Sequence, residues 1–130
     1  MDQSVAISLP ISAQSADEID RLIRAAMLEK APLRAIYDGE VRLLCPHMLG
    51  RNREGHVRIL CLQIGGESVS GLQRKDGQGD WRCLALEKFS NVERAEAVWQ
   101  SPGSLRRPKC IDQIELKVTD RPEREPQKGQ

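Results

Sequence analysis

Between Leu33 and Glu93 the chain alternates short apolar runs with Gly- and Asp-containing breaks, and this punctuation limits the fold more than any other feature. Four runs stand out: Leu33–Tyr37, Val41–Cys45, Val57–Ile64 and Trp81–Leu86. Each is too short for a packed helix and has the length of a strand. Asp38-Gly39 is a two-residue hairpin signal, because both residues tolerate the left-handed backbone that tight hairpins need. Asn52-Arg-Glu-Gly55 marks the next turn, and Gly65-Gly66 opens another, into a short segment centred on Val69. Arg74–Asp80, with two glycines and mixed charges, reads as an exposed loop. The pattern predicts a small antiparallel β-barrel.

Within this frame Glu40–Cys45 returns antiparallel to Leu33–Tyr37 and ends at Pro46. Val57–Ile64 is apolar on both faces, with Val57, Ile59 and Cys61 on one and Leu60, Leu62 and Ile64 on the other. Such a strand is covered twice, by the barrel interior and by a helix or neighbouring subunit. Phe89–Val92 predicts a short fifth strand. A helical turn at Ala95–Gln100 would carry Trp99 against the barrel, and the segments Ser101–Ser104 and Arg106–Pro108 form a linker. A last strand follows, with Ile114, Leu116 and Val118 on one face.

Upstream, Ser15-Ala-Asp-Glu18 is a capping box, and Ile19, Leu22, Ile23, Ala26 and Met27 recur at helical spacing. An amphipathic helix over 15–31, ended by Pro32, packs on the barrel or on a partner chain. One domain covers 1–118, with the helix at 15–31, the barrel at 33–93 and a C-terminal extension at 95–118. The Pro- and charge-rich tail 119–130 is expected to be disordered.

Charge and cysteine usage exclude several classes. Net charge is +1, with a balance of −2 over 1–32 and +2 over each of 33–94 and 101–130. That permits a small cationic patch, far short of a dedicated nucleic-acid binder. No apolar run reaches the ~20 residues of a membrane span. Together with the absence of a basic leader region, this points to a cytoplasmic protein. Cys45, Cys61, Cys83 and Cys110 are scattered, which predicts reduced, buried thiols and neither a disulfide nor a zinc site. No nucleophile elbow, phosphate-cradling Gly loop or His-Glu metal motif is present, so neither an enzyme nor a bound cofactor is expected.

Arg42, Arg58, Arg82 and Lys88 lie on the strands beside apolar neighbours. Each must reach solvent, a carboxylate such as Glu40, Glu67 or Glu87, or an anionic ligand. In the ligand reading the guanidinium groups clamp a phosphate, extended at the barrel mouth by His47 and Arg51 in a loop after Pro46. Trp81 is then a stacking platform for a base. Tyr37 suits the core better than stacking.

The order of elements resembles the WYL domain, a bacterial ligand-sensing module with an Sm-like, SH3-type barrel. Ala35-Ile-Tyr37 looks like its opening strand, and Arg42-Leu-Leu-Cys-Pro46 with Met48-Leu-Gly50 like its second. Trp81–Phe89 is similar to its Phe-Arg-Leu-Asp-Arg-Ile segment, with Asn91-Val-Glu93 after it. Where the naming tripeptide should stand the chain has Arg58-Ile-Leu60. In the last motif Leu84 takes the aromatic position, Ala85 the first arginine and Lys88 the second cation. The resemblance implies a stand-alone domain that senses a nucleotide or short single-stranded nucleic acid. It would regulate transcription through a protein partner carrying the DNA-binding domain. The alternative is an oligomerisation or adaptor protein, a homodimer, in which the same barrel has lost its ligand.

Overall fold

The computed structural model describes residues 13–66, 80–101 and 105–118. The Val69-centred segment, nearly all of the Arg74–Asp80 loop and the 119–130 tail lie outside them.

Helix α1 (Ala16–Glu29) starts with the expected capping box in full. The Glu18 N–H donates to Ser15 Oγ at 3.1 Å, and the Ser15 N–H donates to Glu18 Oε1 at 2.8 Å. Lys30 takes the left-handed conformation (φ 54°) and ends the helix, and the Ala31 N–H turns back to the Ala26 carbonyl. The buried face is Ile19, Ile23, Ala26 and Met27, as the spacing predicts.

Six antiparallel strands follow: β1 (Leu33–Tyr37), β2 (Glu40–Arg51), β3 (Val57–Gly66), β4 (Asp80–Ala85), β5 (Phe89–Arg94) and β6 (Gln113–Lys117). The order is β4-β3-β2-β1-β5, with β6 also on β2. Asp38 and Gly39 both have positive φ, the tight hairpin their side chains favour. β2 is long enough to be shared along one edge, β1 pairing with Glu40–Leu44 and β6 with Met48–Arg51.

The sheet is not closed, since β4 and β5 stand at its two ends and do not pair. It must nevertheless curl. Four strand spacings in a flat array put β4 and β5 about 19 Å apart, whereas only the helical turn Leu86–Lys88 separates Ala85 from Phe89, a reach of roughly 13 Å. One hydrogen bond reaches β4 across the open side at this end, the Ala85 N–H donating to the Tyr37 hydroxyl at 2.9 Å, while the Asp38 N–H donates to the Lys88 carbonyl at 3.1 Å and continues the β1–β5 pairing.

Both faces of β3 are covered. Ile59 and Cys61 join Leu44, Leu49, Leu84 and the α1 stripe in the larger core. On the other face Leu60 packs with Met48 and Ile111, backed by Trp81, Leu105 and Cys110. The second cover is thus the chain's own C-terminal extension.

Three expectations are corrected. Pro46 does not end β2: it pairs with Cys61, and the register shifts before Met48. His47 is the extra residue of that bulge, which lets the strand absorb a proline and continue to Arg51. Ala95–Gln100 forms no helical turn. Cys83 and Cys110 form a disulfide with Cα atoms 6.6 Å apart, inside the range such bonds need. Their 27-residue separation gave no pairing signal; the fold-back of the extension over β3 and β4 creates it. Cys45 and Cys61 are buried thiols, as expected.

Candidate functional site

His47 is fully buried at the β2 bulge, not exposed in a loop, and its ring is held on four sides. It stacks on Trp99 (4.7 Å between centroids, 28°) and meets Trp81 edge-on (5.0 Å, 78°). Nδ1 lies 2.8 Å from the Cys45 carbonyl and Nε2 3.0 Å from Ser101 Oγ. A carbonyl can only accept, so Nδ1 carries a proton and donates to it, and Nε2 shares a hydrogen bond with the Ser101 hydroxyl. Of the expected site residues, the structure brings these two together, His47 and Trp81, inside a packed layer.

The strand cations go elsewhere. Arg42, near the start of β2, donates to Glu40 (3.2 Å) and to Gln63 Oε1 (3.3 Å), with its guanidinium carbon 5.0 Å from the Tyr37 ring centroid. Its Nε is buried without an acceptor. Arg51, at the far end of the same strand, donates to Glu115 and to the Gly55 carbonyl, both at 2.8 Å. Arg58 donates to the Val57 carbonyl at 2.8 Å and pairs with Glu87 at 3.4 Å. Arg82 is half-buried on β4 opposite Cys61, and Lys88 is exposed just before β5. Arg42, Arg51 and Arg58 therefore turn to three different carboxylates, two of which, Glu40 and Glu87, the sequence had offered.

Two carboxyl groups register this pairing. Arg24 and then Arg51 hold the Glu115 carboxyl below its ordinary range. Glu87 is lowered by its own backbone N–H first, with the Arg58 charge adding to it. Arg24 also bonds Asp20 at 2.9 Å and Glu115 at 2.7 Å, so one chain of charges joins α1, β6 and β2.

Sequence reasoning missed one concave site. A surface cleft of about 510 Å³ is lined by Asn52, Arg53, Glu54, Arg107, Lys109 and Asp112, at the β2–β3 turn. Its cations come partly from Arg107, in the Arg106–Pro108 segment that reads as a linker, and from Lys109 after it. Arg107 Nη1 donates to the Ile111 carbonyl at 2.6 Å. Among the described residues no group of three or more His, Cys, Asp or Glu could hold a metal ion.

Among the described residues, fold and site define a mainly β chain with one α-helix, a buried aromatic–histidine layer, and Arg42, Arg51 and Arg58 dispersed to separate carboxylates. No family model, curated protein or solved structure matches the chain. Among the described residues no helix is long and apolar enough to cross a membrane.

Proposed function

We propose that the chain is a non-catalytic interaction module that forms a homodimer through the outer edge of β4. The observation that carries this reading is the edge itself. Among the described residues β4 pairs only with β3, and its seam with β5 is bridged at Ala85 by Tyr37. Since the Ala85 amide points away from β3, the alternation of a strand turns the Trp81 and Cys83 amides the same way. A row of outward amides is a template for another strand. Antiparallel pairing of β4 with its own copy about a twofold axis closes the assembly at two chains.

The opposite edge is less suited. Asn91 interrupts β5 with a positive φ of 50°. Glu93 and Arg94 are engaged with Arg34 and Glu29. The pairing of Arg42, Arg51 and Arg58 with carboxylates supports the same reading, because a phosphate clamp needs them convergent and uncompensated. The finer fold, an Sm-like, SH3-type barrel, is part of the proposal and is supported by the curl that the Leu86–Lys88 connection imposes. A cytoplasmic setting is retained with it.

Sedimentation velocity over the micromolar range tests the dimer. Twice the chain mass, falling to the monomer on dilution, is expected; a monomer at every concentration overturns it.

A second reading, sensing of a nucleotide-like anion in transcription control, is favoured by the cleft of Arg53, Arg107 and Lys109. Fluorescence anisotropy with labelled nucleotides and short single-stranded oligonucleotides decides it. Saturable, salt-sensitive binding lost in Arg107→Ala supports it, and flat titrations sink it.

A further inference from the structure

We propose that the Cys83–Cys110 disulfide is a thiol-exchange site, a redox latch that holds the C-terminal extension over the second face of the sheet. The two ends of that extension are held differently. From Asp112 onward it is bonded into the sheet: the Asp112 N–H donates to the Arg51 carbonyl at 2.8 Å, β6 pairs with β2, and the Val118 N–H donates to the His47 carbonyl at 2.9 Å. From Leu105 to Ile111, among the described residues, the hydrogen bonds close back on the extension itself. The Ile111 N–H donates to the Pro108 carbonyl, and Arg107 to the Ile111 carbonyl. What ties 105–111 to the rest is the burial of Leu105 and Ile111 on Met48 and Leu60, and the disulfide.

Access favours exchange at one sulfur. Cys83 is exposed on β4, while Cys110 is half-buried, so an incoming thiolate reaches Cys83 first. The co-reactant is a dithiol, of the kind that reducing compartments supply. Its thiolate attacks Cys83 Sγ and forms a mixed disulfide, and Cys110 leaves as a thiolate that takes up a proton. The second thiolate of the dithiol then attacks its own bonded sulfur and releases Cys83, which is protonated in turn. Two electrons and two protons pass to the protein, and the dithiol leaves as a cyclic disulfide. With the latch open, the 105–111 segment is free to lift from Met48, Leu60 and Trp81 and expose an apolar surface. The segment carries Arg107 and Lys109, so lifting it also opens one wall of the basic cleft.

The remaining cysteines supply an internal standard. Cys45 and Cys61 are buried, and burial pushes both thiols up, so they resist alkylation in the folded protein. The test is alkylation with iodoacetamide on the full chain, read by mass spectrometry, with hydrogen exchange on the same samples. No label is expected in the native oxidised protein, two labels (Cys83 and Cys110) after dithiothreitol, and four only when dithiothreitol and denaturant are combined. Amide exchange over 105–111 should rise on the order of a hundredfold on reduction, with β1 to β3 unchanged. Cys110→Ser should show the same rise without reductant. Labelling of Cys83 and Cys110 without reductant would overturn the latch, as would equal exchange over 105–111 in both states. So would a rise across the whole sheet, which would make the bond a general staple.

Discussion

His47 shows how one side chain can be misread from its neighbours in sequence. After a proline it looks like a loop histidine free to meet a ligand, yet the bulge turns it inward between two indoles. Replacing it with Ala removes the stacking partner of Trp99 and the two ring hydrogen bonds to the Cys45 carbonyl and Ser101 Oγ. We expect His47→Ala to cost about 2–4 kcal/mol in urea unfolding, with a change in tryptophan fluorescence; a loss within 0.5 kcal/mol would contradict its place in the core. Glu115 makes the second prediction at this scale. Its carboxyl is depressed by Arg24 and Arg51, so the folded state holds the proton less tightly than the unfolded one. The stabilisation is therefore complete above the ordinary carboxylate value of about 4.3, and it fades as pH falls through the lowered folded value. The pair is partly exposed, so Glu115→Gln should cost no more than about 1 kcal/mol at pH 7. That difference should shrink toward zero as the solution is acidified below pH 4. A difference that grows with acidity would reverse the assignment.

Among the elements, α1, the Asp38-Gly39 hairpin and the starts of β1 to β5 were legible in the sequence, because each rests on local chemistry: a capping box, a left-handed pair, an alternation. The arginine–carboxylate pairs Arg42–Glu40 and Arg58–Glu87 were legible as one of two alternatives. What was not legible depends on the return of the C-terminal extension. The disulfide, the cover on Leu60, the Glu115 bridge and the basic cleft all arise from contacts across more than 25 residues, and no local pattern encodes them. Gly50 is where this return leaves a local trace. A methyl group there would run into the Gln113 carbonyl oxygen and come within 2.7 Å of Ile111 Cγ2. Gly50→Ala should therefore push β6 off β2, costing about 1–3 kcal/mol and raising amide exchange over 113–117. Unchanged exchange there would show that β6 does not depend on this close approach.

At the scale of the molecule, a weakly charged chain with one Tyr, one Phe and two Trp builds its core from aliphatic residues and divides it into two layers, one under α1 and one under the extension. The sheet between them curls without closing, and the account turns on what the open edge of β4 meets. Hydrogen exchange at increasing protein concentration tests this most directly, read at the Trp81 and Cys83 amides. If β4 pairs with its copy, those amides slow as concentration rises, while the amides of β5 do not. If the Trp81 and Cys83 amides exchange at the same rate from dilute to concentrated solution, β4 is not the interface and the proposed dimer is wrong.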